Sequence, residues 1–184
     1  MEQLTLKTGR LELVPLGDRH LELEVLLDSD AEVMKYLGGK ARSRAEVEVA
    51  HARRMGCAEG GLGFWVGFDD VGFVGWWLLR GPYGPDQPQV EGEAELGYRL
   101  LRDRWGRGYA SEGSRELLRY GFDVVGLERI FAQTLVGNAG SRAVMASVGL
   151  SFVREFPSSE DFPGAELGEV EYEMTRETWR KAQA

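Results

Sequence analysis

The sequence predicts an α/β fold built on one mixed sheet, antiparallel at first and partly parallel later, with helices on both faces. Three observations predict it. Leu62 to Phe68, an Asp69-Asp70 turn and Val71 to Leu79 form two apolar runs joined as a hairpin. From Ala110 onward, helical and extended patterns alternate, an order that places strands side by side in parallel. Between the two halves a strand runs directly into a glycine-containing turn and a long amphipathic helix.

Taken in order, Leu4, Leu6, Leu11, Leu13 and Val14 alternate around Thr8-Gly9, the pattern of one strand or a bent pair. Gly17-Asp18 offers a start for a helix over His20 to Leu27. A second helix is expected from Ser43 to Ala58. Ser43 would be its N-cap, with Glu46 three residues on as a capping box. Its apolar face is thin, so it reads as a surface helix or a lid. The hairpin follows, then a Pro/Gly loop, Gly81 to Pro88, and a strand over Glu91 to Leu101. In the long helix, Ala110, Ser114, Leu117, Leu118, Gly121, Phe122 and Val125 share one stripe, which is core; Gly126 sits at the C′ position. Strand Arg129 to Leu135, helix Ser141 to Val148 and strand Leu150 to Phe156 come next. A polar loop, Pro157 to Glu169, leads to strand Val170 to Thr175 and a short helix around Trp179. This makes about six to seven strands in one domain spanning 1–184.

Composition narrows the function. A chain of 184 residues with 43% hydrophobic and 28% charged residues can bury a sizeable core. Its net charge of −8 argues against a nucleic-acid partner. Cys57 is the single cysteine, which excludes an internal disulfide and fits a reducing compartment. His20 and His51 have no metal-ligand spacing, so no metal is expected and both read as surface or packing residues. No apolar run approaches the ~20 residues of a membrane span, and no secretion signal opens the sequence. A cytoplasmic protein without a membrane partner is expected.

The chemistry-bearing stretch is Arg104-Trp105-Gly106-Arg107-Gly108-Tyr109-Ala110. Two glycines at a strand-to-helix turn let backbone N–H groups converge on one point, and the helix N-terminus behind them favours an anion. Arg99, Arg102, Arg104 and Arg107 crowd the same turn of an otherwise acidic chain, which suggests a phosphate-binding loop. A dinucleotide fingerprint fails here. The third glycine is missing, Glu128 precedes its strand instead of closing it, and four strands come before the loop. No Gly-Lys-Ser/Thr follows, which excludes a Walker loop.

Glu93 to Leu100, then Trp105 to Glu112, then Asn138 to Met145 closing at Gly149-Leu150, resemble the GNAT acetyltransferases, in particular the RimJ/RimL branch of ribosomal-protein N-terminal acetyltransferases. Thr8 to Leu16 resembles that branch's opening strand, and Glu171 to Thr175 with Trp179 its last. The resemblance implies acetyl-CoA as cofactor and CoA as product. The pyrophosphate would lie on the amides from Arg104 through Tyr109, with Trp105, Gly106, Arg107, Gly108 and Ala110 around it. Asp103 stands where the superfamily often has Gln or Arg, so Arg104 or Arg107 must supply positive charge. The pantetheine arm would run along the edge of the Glu93 to Leu101 strand, where it splays from the Arg129 to Leu135 strand, with Leu100 and Leu101 among the cofactor-binding residues. A backbone N–H near Leu100 would bind the oxyanion if the strand bulges there. Asn138 would cap its helix and touch the cofactor.

Glu95 is the candidate base or water-orienting group, with Glu93 second on the same strand face. The competing reading is that either merely pairs with an arginine. The superfamily's thiolate-protonating tyrosine is replaced by Met145, and the Rim branch suggests Ser141 as substitute; Ser141 can equally be a first-turn serine bonded to Asn138. Trp65, Trp76 and Trp77 read as core, and Glu160, Asp161, Glu166 and Glu169 as a solvated loop or an attractor of cationic amines. The resemblance implies an N-acetyltransferase acting on a protein N-terminal α-amine or a small-molecule amine, with a homodimer compatible by analogy. A non-catalytic acyl-CoA-binding module or sensor is the rival reading, and a nucleotide-binding domain the third.

Overall fold

The computed structural model describes residues 1–84 and 86–183. Its eight strands are β1 (Leu6–Lys7), β2 (Glu12–Pro15), β3 (Gly63–Phe68), β4 (Phe73–Arg80), β5 (Glu93–Leu100), β6 (Arg129–Leu135), β7 (Ser151–Phe156) and β8 (Glu169–Thr175). They form one sheet in the order β1-β2-β3-β4-β5-β6-β8-β7. The count exceeds the expected one because Thr8 and Gly9 break the opening segment into two short antiparallel strands. Among the described residues only β5 and β6 pair in parallel. β8 inserts between β6 and β7 and is antiparallel to both, so the parallel portion is a single ladder.

Among the described residues six α-helices accompany the sheet: α1 (Leu21–Asp28), α2 (Ala31–Met34), α3 (Arg44–Met55), α4 (Tyr109–Arg119), α5 (Ala139–Ser147) and α6 (Arg176–Gln183). The Ser43/Glu46 capping box opens α3 as the sequence predicts. Beyond α4 the chain continues as a π turn, Tyr120–Val125, with the Gly126 N–H reaching back to the Gly121 carbonyl and Gly126 at φ 87°. Among the described residues no helix is long and apolar enough to cross a membrane.

Alternation along the strands sorts the core into two layers. Trp65, Trp77, Leu79, Leu96 and Leu100 face α4 and α5, with Leu117, Leu118 and Met145. Phe64, Trp76 and Leu78 face the other side, with Leu27 and Val33. Trp77 fixes how closely α4 sits on the sheet. A Cβ at Gly67 would lie 2.3 Å from its ring and one at Gly113 2.5 Å, so glycine is required at both contacts.

On the second face the layer beneath β5 is ionic. Asp28, fully buried, pairs with Arg99, and with Arg42 and Arg54 at 3.3 Å. Glu24, also buried, pairs with Arg54 and His51. The Arg99 and Arg54 guanidinium groups lie 4.8 and 5.1 Å from the centre of the Trp76 ring. Two expectations are corrected by this cluster. α3 is no lid: Val47, Ala50, His51 and Arg54 are buried and the helix packs on α1. Of the two readings given for the histidines, packing holds: both are interior, and His20 accepts from the Gly17 N–H at 3.0 Å. Arg99 leaves the loop arginines for the same reason, because it faces α1 and not the glycine turn.

Candidate active site

The β5/β6 ladder runs through Glu93↔Arg129, Ala94↔Ile130 and Glu95↔Phe131 and stops there. Beyond Glu95 the strands splay, and a cavity of about 590 Å³ opens between them. β5 stays in unbroken register with β4 from Arg80↔Glu95 to Gly75↔Leu100. A bulge at Leu100, the condition set for its oxyanion role, is therefore absent. The Leu101 N–H is bonded to the Val74 carbonyl at 3.0 Å, which removes Leu101 from the set of free donors. Antiparallel alternation then turns the N–H groups of Leu96, Tyr98 and Leu100 away from β4 and toward the cleft. The splay, not a bulge, frees the Leu100 N–H. Its carbonyl on the same side accepts from the Trp105 indole at 3.0 Å.

The glycine loop closes one end. Gly106 and Gly108 sit at φ 70° and 81°, in the left-handed region where a side chain brings strain. Gly108 is the N-cap of α4 and offers no capping side chain. The N–H groups of Arg104 and Trp105 are bonded to Leu101 and Arg102 carbonyls, which corrects the expected cradle. The donors without a backbone acceptor among the described residues start at Gly106 and run into the first turn of α4. Arg104 is corrected as well: its guanidinium is held by Asp69 at 2.6 Å, while Arg102 and Arg107 are exposed. Open space at Gly106, unclaimed amides and a helix N-terminus fit a diphosphate.

Of the expected site residues, Glu95, Leu100, Gly108, Asn138 and Ser141 all line the cavity, as do Arg104, Trp105, Gly106, Tyr109 and Ala110. Glu93, Leu101 and Arg107 do not. Glu93 is paired with Arg129 at 2.8 Å on the far side of the Glu95 rung. Glu95 itself is clamped by Arg80 at 2.9 and 2.6 Å. Both carboxylates thus make the arginine pairs weighed against them, but only Glu95 does so at the cavity wall. Asn138 caps α5 by accepting from the Ser141 N–H at 3.2 Å and donates to Thr134 at 3.0 Å. Met145 is buried in the core.

The sequence reading missed Tyr98. Its hydroxyl lies 3.0 Å from Ser141 Oγ and 3.1 Å from the Ser141 carbonyl. Burial pushes this phenol up to about 12, against the Ser141 hydrogen bond. The available signal was its position, on the same β5 face as Leu96 and Leu100 and opposite Glu95. Tyr98 and Glu95 thus point to opposite faces of the sheet at the gap. On the Glu95 side, Glu32, Tyr36 and Leu37 from the α2 region complete the wall. Phe162 of the 157–168 loop would lie 3.1 Å from a Cβ at Gly39. Glu160, Asp161 and Glu166 face solvent, while Glu169 is partly buried and bonded to Ser158 at 2.7 Å. Burial raises the Glu169 carboxyl above its ordinary value, and the charges of Asp86, Glu160 and Glu95 add to the rise.

Residues 10–151 match the family model of the acetyltransferase (GNAT) domain. The chain belongs to the GNAT acetyltransferase family. It is 44% identical over 188 residues to the FsC-acetyl coenzyme A-N(2)-transacetylase of Aspergillus fumigatus, covering 98% of this chain and 80% of that protein. The fold is shared with the spermidine N-acetyltransferase of Vibrio cholerae in complex with CoA and spermine, at TM-score 0.76 and 16% identity, covering 94% of this chain and 99% of that one. It is also shared with RimL, a ribosomal alpha-N-protein acetyltransferase in complex with coenzyme A, at TM-score 0.77 and 17% identity over 95% and 99% of the two chains. The protein is an acetyl-CoA-dependent N-acetyltransferase, and the glycine loop and splayed strands are the features that fit its cofactor.

Proposed function

We propose that this acetyltransferase acts on an α-amino-type primary amine, presented by a small molecule or a peptide end. The carrying observation is the state of Glu95, the carboxylate at the gap, which is committed to Arg80 by two hydrogen bonds. A carboxylate so paired is better suited to orienting an amine or a water than to stripping a proton from a group of pKa ~10.4. An α-amine near ~7.7–8 is already partly neutral at working pH. The N(2)-transacetylase relative, named for a nitrogen numbered 2, supports the same reading. The Glu169 and Glu160 carboxylates near the Glu95 wall favour an acceptor that arrives as a cation.

Bound acetyl-CoA supplies an activated acetyl thioester. Glu95 orients the amine on the α1/α2 face, and the Leu100 N–H donates to the oxygen that gains charge. On the opposite face Ser141 donates to the leaving sulfur. A thiol of pKa ~8.5 leaves readily, so one hydrogen bond suffices. Tyr98, protonated throughout the working range, holds the Ser141 hydroxyl in place. Ser141→Ala is expected to lower kcat about tenfold, with the KM for acetyl-CoA little changed. Tyr98→Phe should add little on top of it, since both act on one bond; additive losses in a double-mutant cycle would overturn the assignment.

The test of the acceptor class begins with calorimetric titration of acetyl-CoA, which should bind in the micromolar range while NADH and ATP do not. An acetylation screen then sets α-amines against lysine-like side-chain amines and polyamines. Preference for the α-amines supports the proposal, and selective acetylation of polyamines or lysine side chains overturns it. Acetyl-CoA binding without turnover on any amine would favour the sensor reading.

A further inference from the structure

Two side chains from elements outside the cleft converge on the glycine loop. Asp69, in the β3–β4 turn, is 2% exposed at its side chain. Its Oδ1 accepts from the N–H groups of Val71 and Gly72, at 2.9 Å each, which fixes the turn. Its Oδ2 accepts from Arg104 Nη1 at 2.6 Å and from the Tyr109 hydroxyl at 2.7 Å. Arg104 and Tyr109 are the residues just before and just after Trp105–Gly108. One carboxylate oxygen therefore ties the entrance and the exit of the loop together.

Arg10, in the segment between β1 and β2, holds the loop from another side. Its Nη1 donates to the Arg107 carbonyl at 3.0 Å, and its guanidinium lies 4.4 Å from the centre of the Tyr109 ring. The same guanidinium is anchored on Glu112 of α4 at 2.7 and 2.6 Å, and Glu112 also accepts from the Arg10 N–H and the Thr8 hydroxyl. In the same trans peptide unit the Gly108 N–H points away from this contact.

We propose that Asp69 and Arg10 are positioning residues that pre-form the diphosphate cradle. They hold the loop amides converged before the cofactor arrives, so binding does not bear the cost of ordering two glycines. Neither residue lines the cavity. Their influence therefore passes through the phosphates of the cofactor and not through its thioester arm, and it holds whichever amine is the acceptor.

The test is Asp69→Asn, which keeps an oxygen for the Val71 and Gly72 amides and removes the charge that holds Arg104. A milder variant, Tyr109→Phe, removes one bond to the same oxygen. Calorimetry with acetyl-CoA should show about a tenfold weaker Kd for Asp69→Asn and a smaller loss for Tyr109→Phe. Ligand-observed NMR, which reads millimolar affinities, should show S-acetylpantetheine binding both variants as it binds the parent, because that thioester carries neither phosphate. Arg10→Gln should repeat the pattern. Equal weakening for both thioesters would reduce the two residues to general supports of the fold. Unchanged acetyl-CoA affinity in folded Asp69→Asn would overturn the proposal outright.

Discussion

Glu95→Gln should lower kcat about 100-fold near neutral pH while leaving the KM for acetyl-CoA within about twofold. The substitution preserves the shape of the side chain and an oxygen for Arg80, so the rung that ends the β5/β6 ladder should persist. What it removes is the negative charge that orients the amine and the water that takes its proton. The pH dependence separates acceptor classes. With an α-amine, neutral above about pH 8, the deficit should narrow by pH 9; with a lysine-like amine of pKa ~10.4 it should not. Steady-state rates from pH 6.5 to 9.5 decide this. An unchanged kcat across the range would make Glu95 a strut for Arg80 and nothing more.

Asp28→Ala should be the most damaging substitution for stability. Asp28 pairs with Arg99, Arg54 and Arg42, and removing it leaves buried guanidinium charge uncompensated. Breaking a buried pair costs about 3–5 kcal/mol, which for a domain of this size corresponds to a Tm lower by roughly 10 °C. Burial pushes the Asp28 carboxyl up, but Arg99, Arg54 and Arg42 outweigh it and hold it below the ordinary carboxylate value. A depressed carboxyl stabilises the fold above its unfolded value, and that contribution is lost as pH falls through the folded value. The gap between parent and variant should therefore be full at pH 7 and shrink below about pH 4. Thermal melts across that range test it; a gap of a degree or two at pH 7 would show that the arginines find other partners or water.

The strands, the α4 stripe, the capping box of α3 and the glycine turn were legible because each is written in local spacing. Arg129 to Leu135 is found as expected, since its two ends are marked by turn residues. α2 was missed: four residues after an Asp30 cap are too few to show a period. α3 was misjudged because its apolar face is thin, and only the partners on α1, 27 and 30 residues away in sequence, make His51 and Arg54 interior. Arg99 carried a usable hint, its place on the same face of β5 as Glu95. The ties from Arg10 and Asp69 had no local signal at all, since they join residues 97 and 40 positions apart.

The gap between β5 and β6 has a consequence for how such a protein diversifies. Where the ladder lacks its rungs, the surface offered to the cofactor arm is main chain, and main-chain groups are the same whatever residue carries them. Side chains around Glu32, Tyr36 and Leu37 can then drift to suit a new amine while the donor of the acetyl group is still recognised. Innovation at one door leaves the lock on the other intact.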